Sequence, residues 1–338
     1  MNWFRTFGPG LLFVLVPSAV AAWLGSLLPI IGGPIFGIVL GMIINHTYGK
    51  PASALKGILF SSKKVLQWAI IVLGAGLSLS QVWKTGLESL SVMLISLAAA
   101  FLAAYGFGRL MRVPFNLQTL IGVGTAICGG SAIAAVSPII EAKEREIAYS
   151  ISTIFLFNIV AVLLFPALGH LFDMTQTGFG LWAGTAINDT SSVVAAAYSY
   201  GDEAGAYGTI VKLARTTMII PISLIFAGIL AYQKKRSAAN ADDPSAVNFS
   251  FSKIFPWFIV WFLVAALLNT TGVIPPESLP SIAKLGKFMI IMALTAIGMN
   301  ADFRSMVKTG FRPILLGLIV WFTVASVSLL IQLATGNT

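Results

Sequence analysis

Two stretches of this chain combine residue types that rarely share an apolar segment. Residues 122–132 read GVGTAICGGSA, and residues 184–192 read GTAINDTSS. Each Gly inside a helix costs about 1 kcal/mol relative to Ala, so several at the centre of a hydrophobic run break its continuity. Unwound backbone at membrane depth survives only where protein or a water-filled cavity covers it. There, freed carbonyls can face a cation and half-helix N-termini can face an anion. Thr125, Cys128, Gly129, Gly130 and Ser131 of the first stretch, with Thr185 of the second, are therefore the candidates for holding a solute. Close helix packing by small residues is the plainer alternative.

The second stretch carries a charge. Asp189 lies in an otherwise apolar run, where an acidic residue costs about 2.5 to 3.5 kcal/mol on insertion scales and is by default a functional hypothesis. It can bind Na⁺ or carry a proton as the coupling ion. Asn188, Thr190, Ser191 and Ser192 offer further oxygens, and Asn158 adds a lone intramembrane amide. The alternatives are a helix N-cap for Asp189 and an interhelical hydrogen bond for Asn158. Lys212 and Arg215 stand three residues apart, on one face of a helix. Facing inward they would hold an anionic solute or balance Asp189; facing outward they would snorkel to the interface. Lys284 and Lys287 repeat that spacing and read as interfacial.

Other chemistry is poorly supplied. The single cysteine and the widely separated His46 and His170 predict no metal site beyond Na⁺ and no cofactor. There is no H-E-x-x-H and no phosphate loop with its Lys. Ser131 has no histidine in an apolar segment to act as its base. No enzyme is expected.

The elements that position these residues are membrane helices. Of 338 residues 57% are hydrophobic and 10% charged, with mean hydropathy +0.90, against about 25% charged in soluble domains. A water-soluble protein is excluded. At about 20 residues per span the chain holds about nine to eleven transmembrane elements. The net charge of +9 falls at helix ends, where it sets orientation rather than marking a nucleic-acid partner.

Apolar segments run approximately over 8–28, 30–45, 65–79, 90–111, 116–140, 147–168, 178–200, 208–232, 254–268, 282–299 and 313–333. The whole of 1–338 reads as one transmembrane domain: scaffold helices in 1–45, a core in 65–232, a polar cytoplasmic linker at 233–252, and C-terminal helices in 253–338. The first run passes through Trp23 and Leu24 beyond the small residues Ala19 and Ala21, so it is expected to be an uncleaved span rather than a signal peptide. Gly33, Gly37 and Gly41 form a packing ridge.

Internal repetition links the two unusual stretches. GTAI at 124–127 recurs at 184–187, Ser131 matches Ser191 and Ala135 matches Ala195, so that six of twelve positions agree without a gap. A weaker echo relates 65–111 to the C-terminal helices, through KTG at 84–86 and again at 308–310. If the two stretches are re-entrant hairpins entering from opposite faces they are inverted copies; if they are broken full spans they run the same way. Hydropathy allows both, and both put the N-terminus in the cytoplasm.

GTAICGGS at 124–131, AKERE at 142–146, Asn158 and GTAINDTSS at 184–192 together resemble the YeiH family of bacterial inner-membrane proteins, also labelled sulfate exporters. That family is grouped loosely with the cation:proton antiporter and bile acid:sodium symporter superfamily. The resemblance implies an all-α polytopic membrane protein with an inverted-repeat transporter fold, whose two interrupted or re-entrant helices meet near the midplane. It also implies an ion-gradient-coupled secondary transporter of a small anion. A Na⁺- or H⁺-coupled organic acid symporter and a non-transporting receptor or assembly protein are the alternatives. The partners expected are the lipid bilayer, a small anionic solute and, as an alternative to a monomer, a second copy in a homodimer.

Overall fold

The computed structural model describes residues 2–28, 32–237, 257–301 and 310–336; it is all-helical, with no strand among them. Helix α1 (Asn2–Leu27) leads into α2 (Gly32–Thr47), and α3 (Leu55–Phe60) continues through a π-helical turn, Ser61–Val65, into α4 (Leu66–Gly74). The short α5 (Leu79–Glu88) precedes α6 (Leu90–Leu110). Next come α7 (Phe115–Ala126), α8 (Gly130–Val136), α9 (Glu144–Leu171), α10 (Gln176–Ala186) and α11 (Thr190–Tyr200). The chain ends with α12 (Asp202–Thr217), α13 (Ile219–Ser237), α14 (Trp257–Thr270), α15 (Leu279–Asn300) and α16 (Phe311–Thr335). Among the described residues seven helical rods are long and apolar enough to cross a membrane, and α2 and α14 are shorter apolar helices. This is a multi-pass membrane protein.

Most of the expected segments fall on these helices. The third begins at Leu55 rather than at residue 65, because a rod of 20 residues carries Lys56, Lys63 and Lys64 within it; such side chains keep their charge in water while the stem lies along the helix. The expected linker is helical as far as Ser237, and the rest of it lies outside the described residues, as do Lys308 and Thr309 of the weaker echo.

Helices α1, α2, α3, α4, α14 and α15 form one packed group, and α16 joins α6, α7, α9 and α10 in the other. The C-terminal helices are thus divided between the two. Between the groups lies an apolar layer in which Ile35, Ile38, Ile70, Leu73, Ile290 and Leu294 meet Val162, Val194, Ala195, Ile210 and Leu213. The glycine ridge of α2 is buried against α15, as the spacing predicts. A Cβ on Gly41 would lie 2.2 Å from the Thr295 carbonyl oxygen, and one on Gly298 2.2 Å from that of Ile38. Backbone cannot yield as a side chain does. Gly41→Ala is expected to destabilise the protein by about 1 to 3 kcal/mol through overpacking. Gly86→Ala, with nothing within 4 Å, should instead stabilise α5 by about 0.4 to 1 kcal/mol. Thermal melting of the two variants in one detergent checks the opposite signs.

Candidate functional site at two hairpin tips

The echo seen in the sequence has a structural counterpart in register. Helix α7 ends at Ala126 and α10 at Ala186; α8 begins at Gly130 and α11 at Thr190. Each GTAI therefore closes a first half-helix, and each three-residue gap is a break.

Both segments fold back on themselves. At the root of α10 and α11, the Phe179 and Tyr200 rings stack 3.9 Å apart and the Tyr200 hydroxyl donates to the Met174 carbonyl at 2.5 Å. Gln176 Oε1 accepts from the Glu203 and Ala204 amides at 3.0 and 3.3 Å, which ties the start of α10 to the chain just beyond the end of α11. At the root of α7 and α8, Asn116 Nδ2 donates to Glu146 Oε2 at 3.4 Å, so the start of α7 lies beside the first turn of α9. Helix α9 has 28 residues, about 42 Å at 1.5 Å per residue, and separates the two roots. The two hairpin roots therefore lie at opposite ends of α9. With 12 residues in α7 and 11 in α10, each reaches about 17 Å, roughly half of an apolar core about 30 Å thick.

The tips meet through Lys212. Its Nζ donates to the Ile127 carbonyl at 2.8 Å and to the Ile187 carbonyl at 2.9 Å, so one ammonium bridges both breaks. One turn on, Arg215 Nε donates to the Ala126 carbonyl at 2.5 Å and Nη2 to that of Thr125 at 3.3 Å. Both side chains have no exposed surface. The last four carbonyls of a helix lack intrahelical partners and carry the negative end of its dipole, and these cations satisfy that demand at the ends of α7 and α10. Both cations face the C-terminal ends of the half-helices rather than their N-termini. Among the described residues neither forms an ion pair with a carboxylate, so Asp189 is not their salt-bridge partner.

Asp189 occupies the second break as the N-cap of α11. One carboxylate oxygen accepts from the Ser191 amide at 3.0 Å and from the Ser191 hydroxyl, and the Asp189 amide donates to Asn158 Oδ1 of α9 at 3.2 Å. The tips touch: a Cβ on Gly129 would lie 3.4 Å from that of Asp189. Thr125, Cys128, Gly129, Asn188, Thr190, Ser191 and Ser192 are buried around them, while Gly130 and Asp189 are half-buried and Ser131 is exposed. Five polar atoms here have no partner: Thr125 Oγ1, Asn158 Nδ2, both amide atoms of Asn188, and Arg215 Nη1. Buried polar groups are normally satisfied, so this cluster has capacity for a solute, an ion or water.

Thr185 is placed elsewhere. Its hydroxyl bonds to the Leu181 carbonyl at 2.7 Å and to the Ser328 hydroxyl of α16, away from the break. Gly184 admits α12, since a Cβ there would lie 2.8 Å from that of Val211. No group of three metal-binding side chains occurs among the described residues. Sequence reasoning found Lys212 and Arg215 by type and spacing but missed their shared partners, the carbonyls at 125–127 and 187, because backbone acceptors leave no residue-type signal.

Paired broken helices within a multi-pass helical bundle define the class. The family model described as Conserved hypothetical protein 698 matches residues 9–317. The chain is 43% identical over 344 residues to a UPF0324 membrane protein of Clostridium tetani, covering 100% of both. It is 45% identical over 335 residues to UPF0324 membrane protein spyM18_1033 of Streptococcus pyogenes serotype M18, covering 97% of each. To UPF0324 membrane protein FN0533 of Fusobacterium nucleatum it is 41% identical over 353 residues, with 98% of this chain and 99% of the relative covered. The chain belongs to the UPF0324 family of membrane proteins, consistent with the resemblance read from its two GTAI stretches.

Proposed function

We propose that this protein is a secondary transporter of a small anion, with the two hairpins as inverted copies and their tips as the solute site. One observation carries the reading: two buried cations and a single carboxylate meet at the breaks. With all three ionised the site carries one more positive than negative side-chain charge in low dielectric, and Arg215 Nη1 has no partner there, so burying the second cation remains costly. A bound anion offsets that cost.

Asp189, with Asn158, Asn188, Thr190, Ser191 and Ser192, serves as the coupling-ion site for Na⁺ or a proton. Alternating access moves the group holding the hairpins against the group built on α1, α2, α4, α14 and α15, along the apolar layer between them. The cationic residues at the α7–α8 root, Arg109, Arg112, Lys143, Arg145 and Arg312, put that face in the cytoplasm. The N-terminus is then cytoplasmic too, in a bacterial inner membrane. Sulfate is the first anion to test, and no catalytic step is part of this reading.

The experiment is flux of labelled sulfate and other small oxyanions into proteoliposomes under imposed Na⁺ and pH gradients. Wild-type protein should exceed protein-free vesicles for at least one anion. Asp189→Asn should cut gradient-driven flux by about tenfold or more while melting within a few degrees of wild type, because Asn caps a helix as well as Asp. Flux equal to empty vesicles for every anion and gradient overturns the reading.

A further inference from the structure

A second cationic site lies at the root of the α7–α8 hairpin. Arg112, Lys143, Arg145 and Arg312 line a cleft of about 520 Å³ where the loop after α6, the start of α9 and the start of α16 come together. Its one carboxylate, Glu146, is already engaged, accepting from the Lys143 amide at 2.9 Å and from Asn116 Nδ2 at 3.4 Å. Arg145 is oriented by Tyr149: Nε donates to the phenol oxygen at 2.9 Å, and the guanidinium carbon lies 5.1 Å from the ring centroid. Among the described residues no carboxylate pairs with Arg112, Lys143 or Arg312. Arg112 also holds a left-handed backbone, φ 55°, a conformation that costs a side-chain-bearing residue about 1 to 2 kcal/mol and suits glycine. An arginine at this helix-ending position therefore runs against backbone preference.

Exposed apolar side chains adjoin the lining residues in sequence. Leu110, Phe115 and Phe311 are 76%, 59% and 77% exposed and flank, in sequence, the cationic and proline residues of the lining. Guanidinium groups bind phosphate oxygens through paired donors. Basic pockets between membrane helices take phosphate headgroups, and interfacial aromatic rings lie at headgroup level. A free oxyanion would use the cations and leave these exposed apolar side chains unused. We infer that this cleft binds the phosphodiester headgroup of an anionic glycerophospholipid, with acyl chains lying over Phe115 and Phe311. So placed, one phosphate ties together the loop after α6, the hairpin root and the first turns of α9 and α16. This inference stands apart from the transport reading.

The test uses the full chain, purified in neutral detergent and melted with phosphatidylglycerol, with phosphatidylcholine of the same acyl chains, or with inorganic phosphate. Phosphatidylglycerol should raise Tm by several degrees, and the other two should leave it unchanged. Arg112→Gln with Arg312→Gln should weaken the phosphatidylglycerol response by about 30-fold in apparent Kd, with an unchanged melt in detergent alone. If that pair fails to fold, Lys143→Gln is the second variant, expected to weaken the response by about fivefold. Equal response to the two lipids, an unaltered response in the variants, or a phosphate response equal to that of the lipid would each overturn the inference.

Discussion

On the transport reading, Lys212→Met is expected to abolish solute movement while leaving the protein folded. Two opposed terms set the stability change. The variant loses two charge-assisted hydrogen bonds, about 1.5 to 3 kcal/mol each, and is relieved of a fully buried ammonium whose desolvation costs several kcal/mol. They offset to within about 2 kcal/mol, and methionine fills the same channel with an unbranched apolar chain. Function has no such compensation. The ammonium is the shared donor at Ile127 and Ile187, so its removal uncouples the tips and, on the transport reading proposed above, deletes one of the two cations that would hold the anion. Two bonds of that size correspond to a fall in flux of roughly 10² to 10⁴ at 1.4 kcal/mol per tenfold. A readout that does not need the substrate exists in the single cysteine, Cys128, which lies in the first break with 2% exposure. Maleimide labelling of Cys128 should be slow in wild type and at least several-fold faster in Lys212→Met. Wild-type flux together with unchanged labelling would show that the bridge is incidental.

How much of this was legible in the sequence depends on which kind of partner a residue has. The GTAI echo located both half-helix ends in register, because glycine and small polar residues in an apolar run report a backbone break by composition alone. Gly33, Gly37 and Gly41 reported packing for the same reason. Hairpin against full span was not legible, since 12 residues down and 7 back have the same hydropathy as a crossing. It was decided by contacts distant in sequence, Tyr200 with Met174 and Gln176 with Glu203. Thr185 misled because it repeats Thr125 in sequence, yet the repeat fixes only its place along a half-helix and not the neighbour it faces. That neighbour is Ser328 of α16, 143 residues away. The cations around Arg112 read as orientation charges because hydropathy cannot tell a loop from a lined cleft.

Gly129→Ala and Gly130→Ala should differ in sign, although the sequence presents the two glycines as a pair. Gly129 holds φ 71° and ψ −128°, a region that side-chain-bearing residues populate only under strain, at a cost of about 1 to 3 kcal/mol. Gly130 opens α8 and would meet only Phe155 Cε2, at 3.9 Å, so alanine there gains up to about 1 kcal/mol of helix propensity. Melting temperatures of the two variants should therefore fall on opposite sides of wild type, and equal shifts would remove the argument. A second effect is confined to Gly129. Its new methyl would lie 3.4 Å from Asp189 Cβ and from Ile154 Cγ2, so it occupies the space beside the residue whose place in the second hairpin matches its own in the first. Asp189 takes φ −100° and ψ 145°, extended backbone open to any residue. One tip is thus broken by a conformation that only glycine holds easily, and the other by a side chain that caps the next helix. The first tip carries no side chain beside Asp189, so on the transport reading proposed above any substitution at Gly129 should weaken coupling-ion binding as well as stability.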